Sequence, residues 1–316
     1  MNISEFKLAA ADFGIFGRGL QRPECVWVGA DGVWASDARG GVSRARDHGD
    51  PELLGSGIAE PNGFSRRADG SFVVAGLGDG GLHRIAPGGE TRKLLDGFDG
   101  KPLGTVNYAW ADGPDRIWLS MMTRAPRWDA ALTTPVRDGY ILRVEGDGAR
   151  CEIVADGLDL TNEVKVSPDG RHLYAAETLG CRIARFPIRS DGTLGDKEIV
   201  GPPSLGRGAF PDGFAFDPFG NVWVTLIGQN GLCAIDRRGD LHLVFRDMNA
   251  AAVEAMAAGV EQRNGTVDHL VACAPESGPL RLPTSLAFGG HDGRTAYVGS
   301  LLMPHLATFR LPESLE

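Results

Sequence analysis

Six positions that recur at one point of a repeated unit carry oxygen-bearing side chains. They are Glu24, Asn62, Asn107, Asn162, Asp212 and, less clearly, Thr284 or Ser285. If the units are arranged in a ring, these oxygens converge on its centre. Two carboxylates with several amide oxygens are the donors that a hard divalent cation prefers, and without a cation Glu24 and Asp212 would repel one another. The pattern predicts one divalent cation at the centre.

A local interpretation of the same residues stays open at this point. Residues 61–63 (Pro-Asn-Gly) and 211–213 (Pro-Asp-Gly) are good turn sequences, because Asn and Asp side chains bond their own backbone in turns. Two positions fit a turn poorly: Glu24 is a weak turn former, and Asn162 is followed by Glu163 instead of glycine.

The elements that must position these side chains are short strands. Each unit has an apolar strand, a turn such as Asp-Gly, and a second strand. In five of the six units this second strand has an aromatic residue followed two positions later by a small one, as in Trp34 and Ser36 or Tyr174 and Ala176; the second unit has Val73 and Ala75. Six such units, with turns spaced as in propeller blades, predict an all-β fold, a six-bladed β-propeller forming a single domain over residues 1–316. The 45 glycines and 19 prolines also favour many short strands.

Three segments depart from the repeat. Residues 124–137 are predicted as an insertion in blade three. Residues 248–258 are rich in alanine and free of Gly and Pro, which predicts a helix inserted before blade six. Residues 6–13 are predicted to supply the strand that completes blade six and closes the ring, which removes exposed sheet edges.

Composition excludes several classes of partner. A net charge of −9 and a pI near 5.3 repel a phosphate backbone, so nucleic acid is not expected as a partner. No apolar run approaches the ~20 residues of a membrane helix, and the first residues have no signal-peptide pattern, so we expect a cytoplasmic protein without a membrane partner. The five cysteines are odd in number and widely spread, which predicts buried reduced thiols. The oligomeric state stays open.

Residues 160–170 and 211–217, together with 23–27, resemble the gluconolactonase / senescence-marker-protein-30 (regucalcin) family. The similarity extends over nearly the whole chain. It implies a six-bladed propeller with one divalent metal (Ca, Zn, Mn or Mg) held by Glu24, Asn162 and Asp212. It further implies that Asn107 contacts substrate or water, and that the reaction is hydrolysis of a sugar-type lactone.

Departures from the family pattern concern the substrate. Thr105 stands where sugar lactonases often carry Arg, and Arg124 stands where some members carry an acidic residue. Thr105, Asn107, Arg124 and Asn62 are the expected substrate-binding residues, and Arg124 favours a carboxylate-bearing or less hydroxylated lactone. Arg124 as an ordinary surface residue is the alternative. Whether Glu163 and His305 also line the pocket stays open.

The predicted function is therefore metal-dependent lactone hydrolysis. The metal would polarise the carbonyl, Asp212 would be the general base for water, and Asn107 would orient the water or the ester oxygen. Two alternatives remain: a metal-dependent enzyme that stabilises an enolate in an isomerisation or cyclisation, and a non-enzymatic propeller that binds calcium or a small molecule. Turnover of simple lactones separates hydrolysis from both.

Overall fold

The protein is a six-bladed β-propeller, as predicted, described by a computed structural model over residues 1–134 and 137–315. Each blade is a four-stranded antiparallel sheet. The innermost strand of every blade contacts the innermost strands of the two neighbouring blades, and the sixth contacts the first, so the ring is closed. The predicted insertion 124–137 is described except for Pro135 and Val136.

The strands follow in chain order. They are β1 Gly14–Phe16, β2 Val26–Gly29, β3 Gly32–Asp37, β4 Gly41–Ala45, β5 Glu52–Leu54, β6 Pro61–Arg66, β7 Phe72–Gly76, β8 Gly81–Ile85, β9 Thr91–Leu95, β10 Gly97–Phe98, β11 Lys101–Pro102, β12 Val106–Asp112, β13 Arg116–Met121, β14 Gly139–Glu145, β15 Arg150–Leu158, β16 Thr161–Val166, β17 His172–Glu177, β18 Arg182–Pro187, β19 Glu198–Val200, β20 Pro211–Phe216, β21 Val222–Leu226, β22 Gly231–Ile235, β23 Leu241–Arg246, β24 Pro283–Gly289, β25 Thr295–Ser300 and β26 Leu306–Arg310.

Five blades are continuous in sequence, and the sixth combines both ends of the chain. Blades one to five are β2–β5, β6–β9, β12–β15, β16–β19 and β20–β23, and blade six is β24–β26 with β1 as its outer strand. β10 and β11 form a separate hairpin.

The closing strand lies just after the predicted segment 6–13. β1 pairs with β26 in the register Gly14↔Thr308, so an N-terminal strand does close the ring. Within 6–13 the chain instead forms a 3-10 turn over Ala10–Asp12, because the Asp12 carboxylate accepts a hydrogen bond from the backbone N–H of Ala9 at 2.7 Å. The prediction of this strand's position was therefore wrong by a few residues.

The helical insertion before blade six has two helices where one was predicted. The helices are α1 Ala250–Glu261 and α2 Val267–Ala272, and the Asn249 and Thr266 side chains cap their N-termini. α2 is too short to show helical periodicity in the sequence, which is why it was missed. Within the described part of the chain the 3-10 helices are Ile3–Glu5, Ala10–Asp12, Trp128–Leu132 and Gly146–Gly148. No helix over these residues has the length and apolarity needed to span a membrane.

The cysteines of the described chain form no disulfide. Cys25, Cys233 and Cys273 are buried, and Cys151 and Cys181 are half-buried.

A residue with left-handed backbone conformation precedes each recurring polar residue and turns that residue's side chain toward the axis. In five blades the residue two positions before the recurring polar residue has a left-handed conformation, with φ between 45° and 57°; these residues are Arg22, Glu60, Leu160, Phe210 and Leu282. In blade three the left-handed residue is Gly104, three positions before Asn107, with φ 88°. Non-glycine residues rarely adopt this conformation, and such strain is concentrated at functional sites.

A β-bulge accompanies the left-handed residue in blades two to six. The pairing register between the first two strands shifts at the recurring position, for example between Thr161 and Val164 in blade four and between Pro211 and Phe214 in blade five. A bulge re-aims a side chain that regular pleating would direct elsewhere. Asn162 and Asp212 are turned into the axis in this way.

Hydroxyl groups on the second strand of three blades fix the backbone next to the recurring polar residue. Ser36, Ser120 and Thr225 each accept a hydrogen bond from the backbone N–H that follows the recurring polar residue, at 2.9, 3.1 and 2.9 Å. These are the small residues of the repeat. In these three blades the small residue therefore makes a direct contact with the backbone that carries Glu24, Asn107 and Asp212.

We expect Thr225→Val to destabilise the protein by about 1–3 kcal/mol, because the buried Gly213 N–H loses its acceptor. Thr225 Oγ1 also donates to the Thr284 carbonyl at 2.7 Å, so the same change removes a hydrogen bond between blade five and blade six. Urea unfolding measures the loss. Thr225→Ser keeps the hydroxyl and is expected to retain most of the stability; equal losses in both variants would contradict this role.

Candidate active site

The recurring polar residues of blades one to five line one cavity at the end of the central axis. Its lining consists of Arg22, Glu24, Asn62, Leu77, Asn107, Met122, Trp128, Leu160, Asn162, Thr178, Asp212, Ile227, Leu270 and Leu301. Its polar members, here called the floor, lie on the inner strands β6, β12, β16 and β20 or beside strands β2 and β17. Trp128 and Leu270 come from the two insertions.

Three buried oxygen atoms in this cavity have no hydrogen-bond donor. They are Asn107 Oδ1, Asn162 Oδ1 and Asp212 Oδ1. The Asn162 amide is oriented by its own Nδ2, which donates to Thr178 Oγ1 at 3.2 Å and so leaves Oδ1 free. Buried acceptors without a partner are costly, and several of them facing one cavity call for a cation or a ligand that donates hydrogen bonds.

The two carboxylates of the cavity are poorly stabilised as anions by their surroundings. Glu24 and Asp212 are 6% and 7% exposed. Burial raises the pKa of Glu24 to about 7, and the Glu163 charge adds to this. Burial also raises the pKa of Asp212 well above its usual range, with the nearby Glu24 carboxylate contributing. A positive charge between them would restore both anions.

The donor set fits a divalent cation. Glu24 and Asp212 supply charge, and Asn162 supplies a free amide oxygen, which together are ligands that hard cations prefer. Over residues 1–134 and 137–315 no cluster of three or more His, Cys, Asp or Glu side chains is placed to hold a metal. A cation here would therefore depend on amide oxygens in addition to the carboxylates.

Arg22 lines the cavity and was not predicted. Its guanidinium donates to Asn62 Oδ1 at 3.1 Å and to the Pro61 carbonyl at 3.4 Å. Its charge partly opposes the rise in the pKa of Glu24 and of Asp212 that burial causes. In the sequence, only its position two residues before Glu24 could have indicated that Arg22 lines the cavity.

A buried ion pair lies beside the cavity floor. Glu163 Oε2 and Lys165 Nζ are 2.6 Å apart, with side chains 3% and 8% exposed. Glu163 also accepts from Ser285 Oγ and from the Phe214 N–H, and Lys165 donates to the Phe214 carbonyl at 2.5 Å. Glu163 thus points inward, but it is paired to Lys165 and is not among the lining residues.

We expect Lys165→Met to lower the free energy of unfolding by about 3–5 kcal/mol, because it leaves Glu163 as a buried, unpaired charge. Urea unfolding at neutral pH measures this loss. The double variant Glu163→Gln/Lys165→Met removes both charges and should be more stable than Lys165→Met alone. If the double variant is the less stable, the pair is not coupled as described.

Other predicted substrate-binding residues lie at different places. Asn62 lines the cavity, and its Nδ2 donates to the Asn107 carbonyl at 3.2 Å. Thr105 is buried, with Oγ1 bonded to the Ala125 carbonyl at 2.9 Å, and does not line the cavity. Arg124 is exposed and outside the cavity lining.

Arg124 is held by groups of blade three. It makes a two-bond ion pair with Asp156, both contacts at 2.9 Å, and its guanidinium lies 4.5 Å from the centre of the Tyr140 ring. A contact between Arg124 and a ligand in the central cavity would require this pair to break.

The remaining two candidates also lie outside the lining. Thr284 Oγ1 donates to the Glu24 carbonyl at 2.6 Å, so Thr284 supports the backbone of Glu24, and blade six contributes Leu301 instead of Thr284 to the cavity lining. His305 is half-buried near Arg18, and both burial and that guanidinium lower its pKa.

Comparison with known proteins identifies the family. The model of the SMP-30/Gluconolactonase/LRE-like region matches residues 25–264, more than half of the chain. The chain belongs to this family. The matched region of this SMP-30/gluconolactonase-like protein contains Asn107, Asn162 and Asp212, and Glu24 directly precedes it.

Individual relatives of this SMP-30/gluconolactonase-like protein agree. It is 27% identical to 6-deoxy-6-sulfogluconolactonase from Pseudomonas putida over 79% of this chain and 69% of the relative. Its fold matches a gluconolactonase from Xanthomonas campestris (TM-score 0.68, 22% identity, 97% of this chain and 94% of the other). It also matches the calcium-binding protein regucalcin from Agrobacterium tumefaciens (TM-score 0.63, 16% identity, 94% and 93%).

Proposed function

We propose that this protein hydrolyses lactones with the help of one divalent cation held by Glu24, Asn162 and Asp212. The observation that carries the proposal is the group of donorless buried oxygens on Asn107, Asn162 and Asp212, which face one cavity together with the Glu24 carboxylate. Membership of a family that includes gluconolactonases supports the reaction type. The calcium-binding regucalcin among the structural neighbours supports a divalent cation.

The residues of the chain have separate roles in the proposed reaction. A cation held by Glu24, Asn162 and Asp212 would supply Lewis-acid polarisation of the lactone carbonyl and would make the attacking water more acidic. Asp212 Oδ1 takes the proton of the water as its oxygen adds to the carbonyl carbon. The bond from that carbon to the ring oxygen then breaks, Asp212 returns the proton to the ring oxygen, and a hydroxy acid is the product.

Asn107 and Arg22 position charge and substrate in this scheme. Asn107 is fixed in the cavity floor, 3% exposed, with a free Oδ1 that can orient the water as a hydrogen-bond acceptor. Arg22 has N–H groups beyond those that bond Asn62 and Pro61, and they can stabilise the negative charge that develops on the carbonyl oxygen. Asn62 holds the Arg22 guanidinium and bonds the Asn107 carbonyl, so it links the two.

Direct substrate recognition by Arg124 and Thr105 is not part of the proposal. Arg124 is paired with Asp156 and Thr105 is bonded to Ala125, and neither faces the cavity. The expected preference for a carboxylate-bearing lactone, which rested on Arg124, has no support from this arrangement.

The proposal is tested by a pH-indicator screen of lactones of different ring size and substituents with the wild-type protein and Glu24→Gln. We expect turnover by the wild type and strong loss in the variant, whose neutral amide weakens the cation site. If the protein binds a cation in the absence of lactone and hydrolyses no lactone, the result would instead favour the calcium-binding alternative. Isomerisation or cyclisation without release of acid would favour the second enzyme class.

A further inference from the structure

Two insertions form an apolar cap over the cavity. The cap consists of the 3-10 helix Trp128–Leu132 from blade three and helices α1 and α2 from the segment before blade six. Leu132 and Leu270 belong to one hydrophobic cluster with Phe210 and Leu282, two of the left-handed residues at the inner-strand entries. The cap therefore rests on the strand ends that carry the candidate active site.

The cap and the upper walls give the cavity seven apolar lining side chains. They are Leu77, Met122, Trp128, Leu160, Ile227, Leu270 and Leu301. The cavity volume is about 80 Å³. In a cavity this small a bound lactone lies in direct contact with these apolar side chains.

The polar side chains on the floor are either hydrogen-bonded to one another or assigned in the proposed reaction, the free oxygens of Asn162 and Asp212 to the cation and that of Asn107 to the water. Thr178 Oγ1 donates to the Pro211 carbonyl and accepts from Asn162, and Asn62 bonds Arg22 and Asn107. Few partners remain for additional hydroxyl groups on a ring. A hydroxyl moved from water to an apolar wall without a hydrogen bond is disfavoured, whereas an alkyl group gains from the same burial.

We infer that the preferred substrates are lactones with an apolar substituent and few hydroxyl groups, with the lactone ring on the polar floor and the substituent against Trp128 and Leu270. This inference rests on the proposed lactonase function and specifies its substrate class. The preference for such lactones over polyhydroxylated sugar lactones follows from the chemistry of the cavity walls alone.

The test is kcat/KM for a series of lactones with one ring size and alkyl side chains of increasing length, compared with glucono-lactone. Each added methylene that reaches the cap should raise kcat/KM about fourfold, until the chain outgrows the cavity. Glucono-lactone should be slower than the best alkyl lactone by at least about tenfold, since several hydroxyls lose partners. A flat series with glucono-lactone the faster would overturn the inference and leave the lactonase proposal intact.

A variant pair on helix α2 provides a second measurement. Leu270 lines the cavity, whereas Val271 is 46% exposed on the same helix. Leu270→Ala should lower the ratio of alkyl-lactone to glucono-lactone kcat/KM by roughly tenfold, and Val271→Ala should not change it. An unchanged ratio in folded Leu270→Ala would contradict the placement of the substituent.

The two proposals can fail separately. If no lactone is hydrolysed, the lactonase proposal fails, and calorimetry with the corresponding unreactive lactams still decides the substrate class. Binding of alkyl lactams that strengthens with chain length supports the apolar site; absence of binding, or tighter binding of a polyhydroxylated lactam, overturns it.

Discussion

Asp212→Asn should lower kcat/KM for lactone hydrolysis by roughly 10³-fold or more, because general-base catalysis alone contributes about 10²–10⁴-fold. The same change removes one of the two carboxylates near the proposed cation, so the stabilisation of the protein by added calcium, manganese or zinc should also disappear. Enzyme assays and thermal unfolding with and without metal measure the two effects.

The same substitution, Asp212→Asn, also has an expected effect on the stability of the metal-free protein. In the free protein Asp212 is a buried carboxylate near Glu24, with a raised pKa and a donorless Oδ1. Its replacement should therefore leave the metal-free protein as stable as the wild type or more stable, since a strained functional group is lost. Exposed Asp196 is the matched control, and Asp196→Asn should change none of the three quantities. Wild-type turnover in Asp212→Asn would contradict the mechanism.

Asn107→Ala should separate catalysis from cation binding. Asn107 faces the cavity with a free oxygen but is assigned to water or substrate, so we expect kcat to fall by roughly 10²-fold, the cost typical of a misplaced reactant. The thermal shift on adding metal should persist, since Glu24, Asn162 and Asp212 remain. Asn162→Ala is the informative comparison because it removes a proposed ligand.

The contrast between the two asparagines decides their roles. We expect Asn162→Ala to weaken the metal-induced shift and Asn107→Ala to preserve it. Loss of metal binding in both variants would place Asn107 among the ligands, and an unchanged kcat in Asn107→Ala would remove it from the reaction.

The repeat made much of this architecture predictable. Aromatic and small residues at fixed positions specify six similar blades, and the recurring polar residues appear at one point in the register, so their convergence followed from ring closure. The polar character of Glu24 and Asn162 was informative because neither suits a simple turn. The alanine content predicted a helix over 248–258, and the observed helix is Ala250–Glu261.

What the sequence did not predict depends on contacts between distant segments. Arg22 enters the cavity because its backbone is left-handed, with φ 50°, which the residue type does not indicate. Arg124 lies outside the cavity and forms an ion pair with Asp156, which is 32 positions later in the chain. The cap forms where residues near 132 and 265 meet, and neither insertion shows an amphipathic pattern that points to the other.

The central claim is that lactone hydrolysis depends on a cation held by Glu24, Asn162 and Asp212. The most direct test is to strip the protein with a chelator, titrate a divalent cation back, and record lactone hydrolysis and bound metal on the same sample. The account predicts that activity is lost on stripping and returns in proportion to binding, reaching its maximum at about one cation per chain, the capacity of a single set of ligands. Full lactone turnover by the stripped protein, or restored metal without restored turnover, would contradict it.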